Sequence, residues 1–326
     1  MINWGIIGCG DVTEKKSGPA FNKVEGSRLA AVMRRNPEKA ADYARRHKVD
    51  KWYSDAGEMM NSADINAVYI ATPPAWHLPY ALEAIKRGLN VYIEKPATLN
   101  AGEARQIAGA LKNSGSKLVV AHYRRAVPMF LYVKQLLDKK AVGDVRTVQI
   151  RMWQQARPQL IAKVEENWRV DPALAGGGYF HDLAPHQLDL MLYYFGSPLQ
   201  AGGYGLNQSG IYAADDHVSG QLLFNNKIVA NGSWCFNVPE REAIDECVII
   251  GSEGRIAFPF FGNTVSWYNG HEEQMVSFEH PQHIQQPMIE KTVRYFEGKE
   301  LNPCTIDDAV IVMEMIDTLS ATYKFS

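Results

Sequence analysis

Ile2-Asn-Trp-Gly-Ile-Ile7 followed at once by Gly8-Cys9-Gly10-Asp11-Val12-Thr13 is the stretch on which the fold is read. The first six residues are predominantly apolar and read as a buried strand. Two glycines one residue apart then break it, as in the first two positions of the dinucleotide-binding pattern G-x-G-x-x-G. Gly8 permits a tight turn, and Gly10 lets the backbone of Cys9, Asp11 and Val12 approach a pyrophosphate at the amino end of the next helix. The third glycine position is Thr13, and Pro19 interrupts the helix region, so this helix should not pack on the strand in the usual way.

Working outward, Leu29-Ala-Ala-Val-Met33 reads as a second strand. An acidic residue at its end would bind an adenosine 2′-hydroxyl; the chain instead has Arg34-Arg35-Asn36. Two guanidiniums suit a 2′-phosphate, which a carboxylate would repel. The alternative is a pair of solvated arginines beginning a charged helix. Further strands follow at 67–71, 91–93 and 117–121, with helical patterns at 78–87 and 101–113. Strand–helix alternation at this spacing predicts an α/β fold, a parallel sheet covered on both faces, over residues 1–122.

The strand Val91-Tyr-Ile93 runs into Glu94-Lys95-Pro96. Proline fixes the path by which the chain leaves the sheet, and ligands of open parallel sheets bind beyond the carboxyl ends of the strands. Lys95 is therefore a candidate to meet a substrate, against the plainer reading of a surface Lys–Glu pair.

From 123 to 326 the pattern changes. After a helix near 128–138, β-rich runs occupy 145–153, 217–224, 227–235, 245–251, 254–260, 264–268 and 274–279, with turn chemistry at Asn225-Asn226 and Ser252-Glu-Gly254. Helices are expected near 283–297 and 305–323. This predicts a second, α+β domain with a large, mostly antiparallel open sheet, whose uncovered face leads to the expectation of a homo-oligomer. Inside it lies Gly176-Gly-Gly178, then His181, Asp182 and His186. Asp182 and His186 are one helical turn apart, so they share a face, and a carboxylate there can hold an imidazole in one tautomer for acid–base work. The competing readings are an N-cap aspartate with a satisfied core histidine, or a metal site at His181, Asp182 and His186, which no further ligand cluster supports.

Composition narrows the classes. The 326 residues carry 34 Lys plus Arg against 36 Asp plus Glu, so no basic excess points to nucleic acid. Cys9, Cys235, Cys247 and Cys304 form no C-x-x-C pair. No apolar run reaches the ~18 residues of a membrane span, and no signal-peptide pattern precedes the first strand. A soluble cytoplasmic protein is expected.

The ordered set Gly8-Cys-Gly10, Ala71-Thr-Pro-Pro74 with His77, Glu94-Lys-Pro96, Arg124-Arg125, Trp168-Arg169, Gly176-Gly-Gly178 and Asp182 with His186 resembles the Gfo/Idh/MocA oxidoreductases over essentially the whole chain. The resemblance implies a Rossmann domain, a carboxyl-terminal domain whose open sheet mediates oligomerisation, and non-metal, NAD(P)-dependent oxidation or reduction of sugars, cyclitols or related alcohols. It implies Lys95 as the active-site lysine, and Asp182 with His186 as the acid–base pair. It further implies cofactor contacts from Thr72, Pro73, Pro74, His77, Glu94, Arg124, Trp168 and Arg169. Nicotinamide is expected against Thr72-Pro73 and Glu94-Lys95, facing the 168–186 region. Arg34 and Arg35 fall where NADP-linked members differ from NAD-linked ones, so NADP is expected ahead of NAD. That cofactor site, with the lysine–histidine pair, is similar to those of 1,5-anhydrofructose reductases and dihydrodiol dehydrogenases. His122-Tyr123 departs from the asparagine common before the arginines. The rival expectation is a regulator of the same fold that binds NAD(P) without turnover, against which Lys95, Asp182 and His186 argue together.

Overall fold

The computed structural model describes residues 1–161 and 167–321, which form two compact units. The first comprises Met1–Arg124 and Pro281–Val310; the second comprises Arg125–His280 and the chain from Ile311. The chain thus returns to its first unit late, where the sequence reading divides it once, at residue 122.

In chain order the first unit holds β1 (Ile2–Ile7), α1 (Asp11–Lys15), β2 (Ser27–Met33), α2 (Pro37–His47), β3 (Lys51–Tyr53), α3 (Ala56–Met60), β4 (Ala67–Ile70), α4 (His77–Lys86), β5 (Asn90–Ile93), α5 (Ala101–Lys112) and β6 (Leu118–Val120). The strands form one parallel sheet in the order β3-β2-β1-β4-β5-β6. Strand direction of travel reverses on either side of β1, so the ligand crevice of this doubly wound sheet lies at the carboxyl ends of β1 and β4.

Side chains alternate across the sheet. Ile7, Met33, Val68, Ile70, Val91, Ile93, Leu118 and Val120 belong to one core cluster, with residues of α3, α4 and α5. On the opposite face Tyr69 stacks on Tyr92, and Trp4 meets Tyr92 edge-on and packs against Phe21 and Phe296. Alternation past Tyr92 sends Glu94 to this aromatic face.

The second unit holds α6 (Pro128–Asp138), β7 (Val145–Trp153), α7 (Pro172–Ala175), α8 (Tyr179–Phe195), β8 (Pro198–Leu206), β9 (His217–Phe224), β10 (Val229–Cys235), β11 (Ile244–Gly251), β12 (Arg255–Phe258), β13 (Thr264–Tyr268) and β14 (Glu273–Ser277). Its eight-stranded sheet runs β14-β13-β12-β11-β7-β10-β9-β8. Only β7 and β10 pair in parallel. One face is apolar and packs on helices: Phe180 meets Trp234, Phe195 meets Phe224, and Phe130 meets Phe258. The other face carries Gln149, Arg151 paired with Glu246, Asn231, Ser233 and Gln221, with Val248 and Ile250. It is covered by nothing in the chain's described residues.

The chain closes with α9 (Gln286–Phe296), part of the first unit, and α10 (Ile306–Leu319), which Thr305 caps through the Asp308 N–H at 3.0 Å. The sequence places the end of the last helix at 323; residues 322 and 323 lie outside the described residues. Strands β3 and β8 have no counterpart in the sequence reading. Both are edge strands, and Gly202, Gly203 and Gly205 remove the alternation from β8.

Candidate functional site

The glycine loop is built from two different needs. Gly8 has φ +91°, a left-handed conformation that glycine adopts without strain. A Cβ there would stand 2.8 Å from Thr72 Cγ2 and 3.0 Å from the Thr72 nitrogen, so the loops after β1 and β4 touch. The N–H groups of Gly8 and Cys9 both donate to the Met33 carbonyl, at 2.9 and 3.1 Å. Gly10 is different. A Cβ there would meet nothing of the protein nearer than the Gly8 carbonyl oxygen at 3.8 Å. Bare backbone is thus presented where no protein atom requires it, which fits close approach of a pyrophosphate. Thr72 Oγ1, buried beside this loop, has no hydrogen-bond partner among the described residues, a second sign that the loop is shaped for a polar ligand.

Thr13, the substituent of the third glycine, donates its hydroxyl to the Gly10 carbonyl at 2.7 Å, and its own carbonyl accepts from Tyr43 at 2.9 Å. Gly18 fits beneath that pair, because a Cβ would strike Thr13 O and Tyr43 Oη. Consequently α1 is only five residues long and passes into a 3-10 turn containing Pro19, the departure in packing that the sequence predicts.

Cys9, expected among the cofactor contacts, can serve only through its backbone. Its side chain is fully buried, and burial pushes the thiol up to about 11. Asp11 is exposed and Val12 partly so at the start of α1. Arg34 donates from Nη1 to the Cys9 carbonyl at 3.3 Å, holding its guanidinium beside the glycine loop. Arg35 lies over the Trp76 ring, 5.2 Å from its centroid.

Two other residues expected among the cofactor contacts, His77 and Glu94, are buried and brace the loops. His77 is wholly buried, with Nε2 2.8 Å from the Thr72 carbonyl and Nδ1 3.0 Å from the Pro96 carbonyl. It ties the loop after β4 to the loop after β5, and burial lowers its pKa against the pull of those carbonyls. Glu94 points inward: Tyr69 Oη and Gln285 Nε2 (2.6 Å) donate to Oε1, and the Lys95 N–H donates to Oε2 at 3.0 Å. Glu94 is 6% exposed. It sets the backbone of Lys95, whose peptide to Pro96 is cis. Pro73 is partly exposed and Pro74 buried at the start of the turn after β4. Arg124 is buried, with its guanidinium over Tyr123 and donating to that hydroxyl at 3.3 Å. Gln285 and Trp76 escape sequence reasoning; only Trp76 had a signal, its place between Thr72 and His77.

In the second unit, the three glycines have three local causes. Gly176 caps α7 at φ +84°. Gly177 leaves room for the His181 ring, and Gly178 for Ala214 Cβ and the Asp215 carbonyl, each 2.9 Å from where its Cβ would be. The space left by Gly177 and Gly178 is thus taken up by the protein itself. Asp182, in the first turn of α8, accepts from Arg169 Nε at 3.1 Å, and Arg169 in turn lies over Trp168, 4.5 Å from the ring centroid. Of the expected cofactor contacts Trp168 and Arg169, Arg169 thus holds the acid while lying on the Trp168 ring, with its Nη1 buried and unbonded among the described residues. One turn on, His186 is 4% exposed and meets the edge of Phe261 at 5.8 Å. Asp245 fixes Phe261 by accepting its N–H at 2.6 Å and that of Phe260 at 3.0 Å.

Arg125 forks onto Asp189, two turns from Asp182, through Nη2 at 2.7 Å and Nε at 3.0 Å. His181 projects elsewhere on the helix, and burial depresses its pKa from 6.5 to about 4, so it is neutral. Among the described residues no three His, Cys, Asp or Glu side chains are grouped to hold a metal ion, and no helix is long and apolar enough to cross a membrane.

Residues 2–122 match the family model described as an oxidoreductase family with an NAD-binding Rossmann fold, and residues 130–257 match the GFO/IDH/MocA carboxyl-terminal domain. An oxidoreductase of Formosa agariphila is 48% identical over 98% of this chain and 99% of its own. The levoglucosan dehydrogenase of Pseudarthrobacter phenanthrenivorans is 28% identical, over 70% of this chain and 64% of its own. Among solved structures, the aldose-aldose oxidoreductase of Caulobacter crescentus, complexed with glycerol, shares the fold with a TM-score of 0.86 at 22% identity, covering 98% of this chain and 96% of that one. Matched at both domains and nearly end to end by a close relative, the chain belongs to the Gfo/Idh/MocA family of NAD(P)-dependent oxidoreductases.

Proposed function

We propose that this chain is an NADP(H)-dependent dehydrogenase or reductase of a sugar-like, cyclitol or related CH–OH carbon. The observation that carries the cofactor choice is Arg34. Its guanidinium is held on the Cys9 carbonyl at 3.3 Å, at the end of β2, where an NAD-selective acid would stand. The backbone of Gly8–Val12, the Thr72 hydroxyl and Pro73 would hold the dinucleotide, with Arg34 and Arg35 on the 2′-phosphate. When bound, the nicotinamide supplies or accepts the hydride.

The protein's own groups handle the oxygen. His186 gives its proton to the substrate oxygen in reduction and takes it back in oxidation. Lys95 donates from Nζ to the same oxygen and stabilises its developing negative charge. Asp182 favours the protonated imidazole, and Arg169 fixes the carboxylate. The levoglucosan dehydrogenase relative and the polar character of these groups support a hydroxylated ring as substrate. A cytoplasmic location and a homo-oligomer joined through the open sheet belong to the same reading.

Titration of the purified protein with NADPH and NADH tests the cofactor choice. Two charge-assisted contacts to the phosphate, each on the order of 1.5–3 kcal/mol, should make NADPH the tighter ligand, and Arg34→Asp should abolish or reverse that order. Equal affinities in the unmutated protein would remove the NADP reading and leave the family assignment standing.

A further inference from the structure

Strands β2 and β4 are the two neighbours of β1, so the loops that follow them flank the carboxyl end of β1, where the glycine loop lies. Arg35 comes from the first of these loops and Trp76 from the second. The guanidinium carbon of Arg35 stands 5.2 Å from the Trp76 ring centroid. Tyr80, one turn along α4, supports the indole at 6.3 Å. Trp76 is 39% exposed, unusual for so large an apolar ring, and Arg35 is exposed with no carboxylate partner among the described residues. An exposed arginine left to itself samples many rotamers, and each contact it makes must first restrict them.

We propose that Trp76 is a positioning residue for cofactor selection, its ring holding the Arg35 guanidinium ready for the adenosine 2′-phosphate. This rests on the NADP reading above. Cation–π attraction acts on the face of the guanidinium and leaves its N–H edge free to donate, so the ring orders the arginine without competing for the hydrogen bonds it makes to phosphate. Arg34 is restrained by a carbonyl instead. The two arginines thus reach their common ligand by different restraints, and only one of them depends on an aromatic ring.

The experiment is direct binding, without turnover, of 2′,5′-ADP and 5′-AMP to the full-length protein, to Trp76→Ala, Trp76→Phe and Arg35→Ala, and to the Arg35→Ala/Trp76→Ala double variant. Removing a cation–π restraint should weaken 2′,5′-ADP by roughly two- to thirtyfold in Trp76→Ala and leave 5′-AMP nearly unchanged. Trp76→Phe should retain most of the affinity, and Trp76→Ala should cost nothing further once Arg35 is gone. Equal losses for both nucleotides would mean that the indole stacks on adenine, and would overturn the proposal, as would full 2′,5′-ADP affinity in Trp76→Ala. An unmutated protein that does not distinguish the two nucleotides overturns the NADP reading itself, and this inference with it. Discrimination retained in the parent but indifferent to Trp76 overturns the inference alone.

Discussion

Gln285 donates its side-chain amide to the Glu94 carboxylate at 2.6 Å, across 191 residues of sequence. The same residue donates its backbone N–H to the Lys16 carbonyl just beyond α1, and its Oε1 accepts from Tyr92 at 3.4 Å. One glutamine therefore joins the helix after the glycine loop to the loop that carries Lys95.

Gln285→Leu should leave Glu94, which is almost wholly buried, short of a donor. Such a loss costs about 1–3 kcal/mol, readable as a lower denaturant midpoint with unchanged slope. Gln285→Asn tests reach: its shorter side chain should recover little. A variant as stable as the parent would mean that solvent replaces the amide, and the brace would then have no energetic weight.

Lys95→Ala and His186→Ala should each lower turnover by roughly 10²–10⁴-fold, the range for a lost acid–base or oxyanion group. Cofactor affinity, measured separately, should move far less, since the glycine loop and Arg34 are untouched. Asp182→Asn should fall between, because the side chain keeps its shape and loses its charge. Near-normal turnover in His186→Ala would transfer the proton-donor role to another group.

His181 gives a stability signature against pH. Its folded pKa of about 4 lies below the ordinary 6.5, so the unfolded chain binds the proton that the folded one refuses. The contribution is fully present above pH 6.5 and is lost as pH falls toward 4, a total loss of about 3 kcal/mol across the window. Unfolding titrations of His181→Gln should show a flatter slope across that window. An unchanged slope would assign the acid sensitivity to other groups.

Much of the first unit was legible because its signals are local. Apolar runs, the Gly8–Gly10 turn and the Glu94-Lys-Pro96 stretch each announce themselves within a few residues, and α8 puts Asp182 and His186 on one face by helical period alone. What could not be read depends on partners far along the chain. His77 and Glu94 stand among the cofactor contacts that the family resemblance implies. Their partners within the protein, the Pro96 carbonyl, Tyr69 and Gln285, appear only when the sheet is assembled. Arg169 likewise declares its role only when α8 brings Asp182 against it. The strands β3 and β8 were missed because one is three residues long and the other is rich in glycine, leaving no period to detect.

The uncovered face of the second sheet carries a testable expectation as well. Its centre is polar and small, with Gln149, Asn231 and Ser233, while Ile250, Tyr268 and Met275 stand exposed among its strands. If two copies meet there, sedimentation at micromolar concentration should give a dimer or larger, and Ile250→Lys should shift it toward monomer. A monomer in the unmutated protein would show that the polar centre suffices against water.

The late return of Pro281–Val310 to the first unit has a consequence for how the protein is made. Until those residues leave the ribosome, the aromatic face of Trp4, Tyr69 and Tyr92 lacks Phe296, and the Glu94 carboxylate lacks Gln285. The dinucleotide-binding unit is begun first and finished last. A nascent chain stalled after Arg124 should therefore engage chaperones through that face, and nucleotide should protect the first unit from proteolysis only once synthesis has passed residue 310.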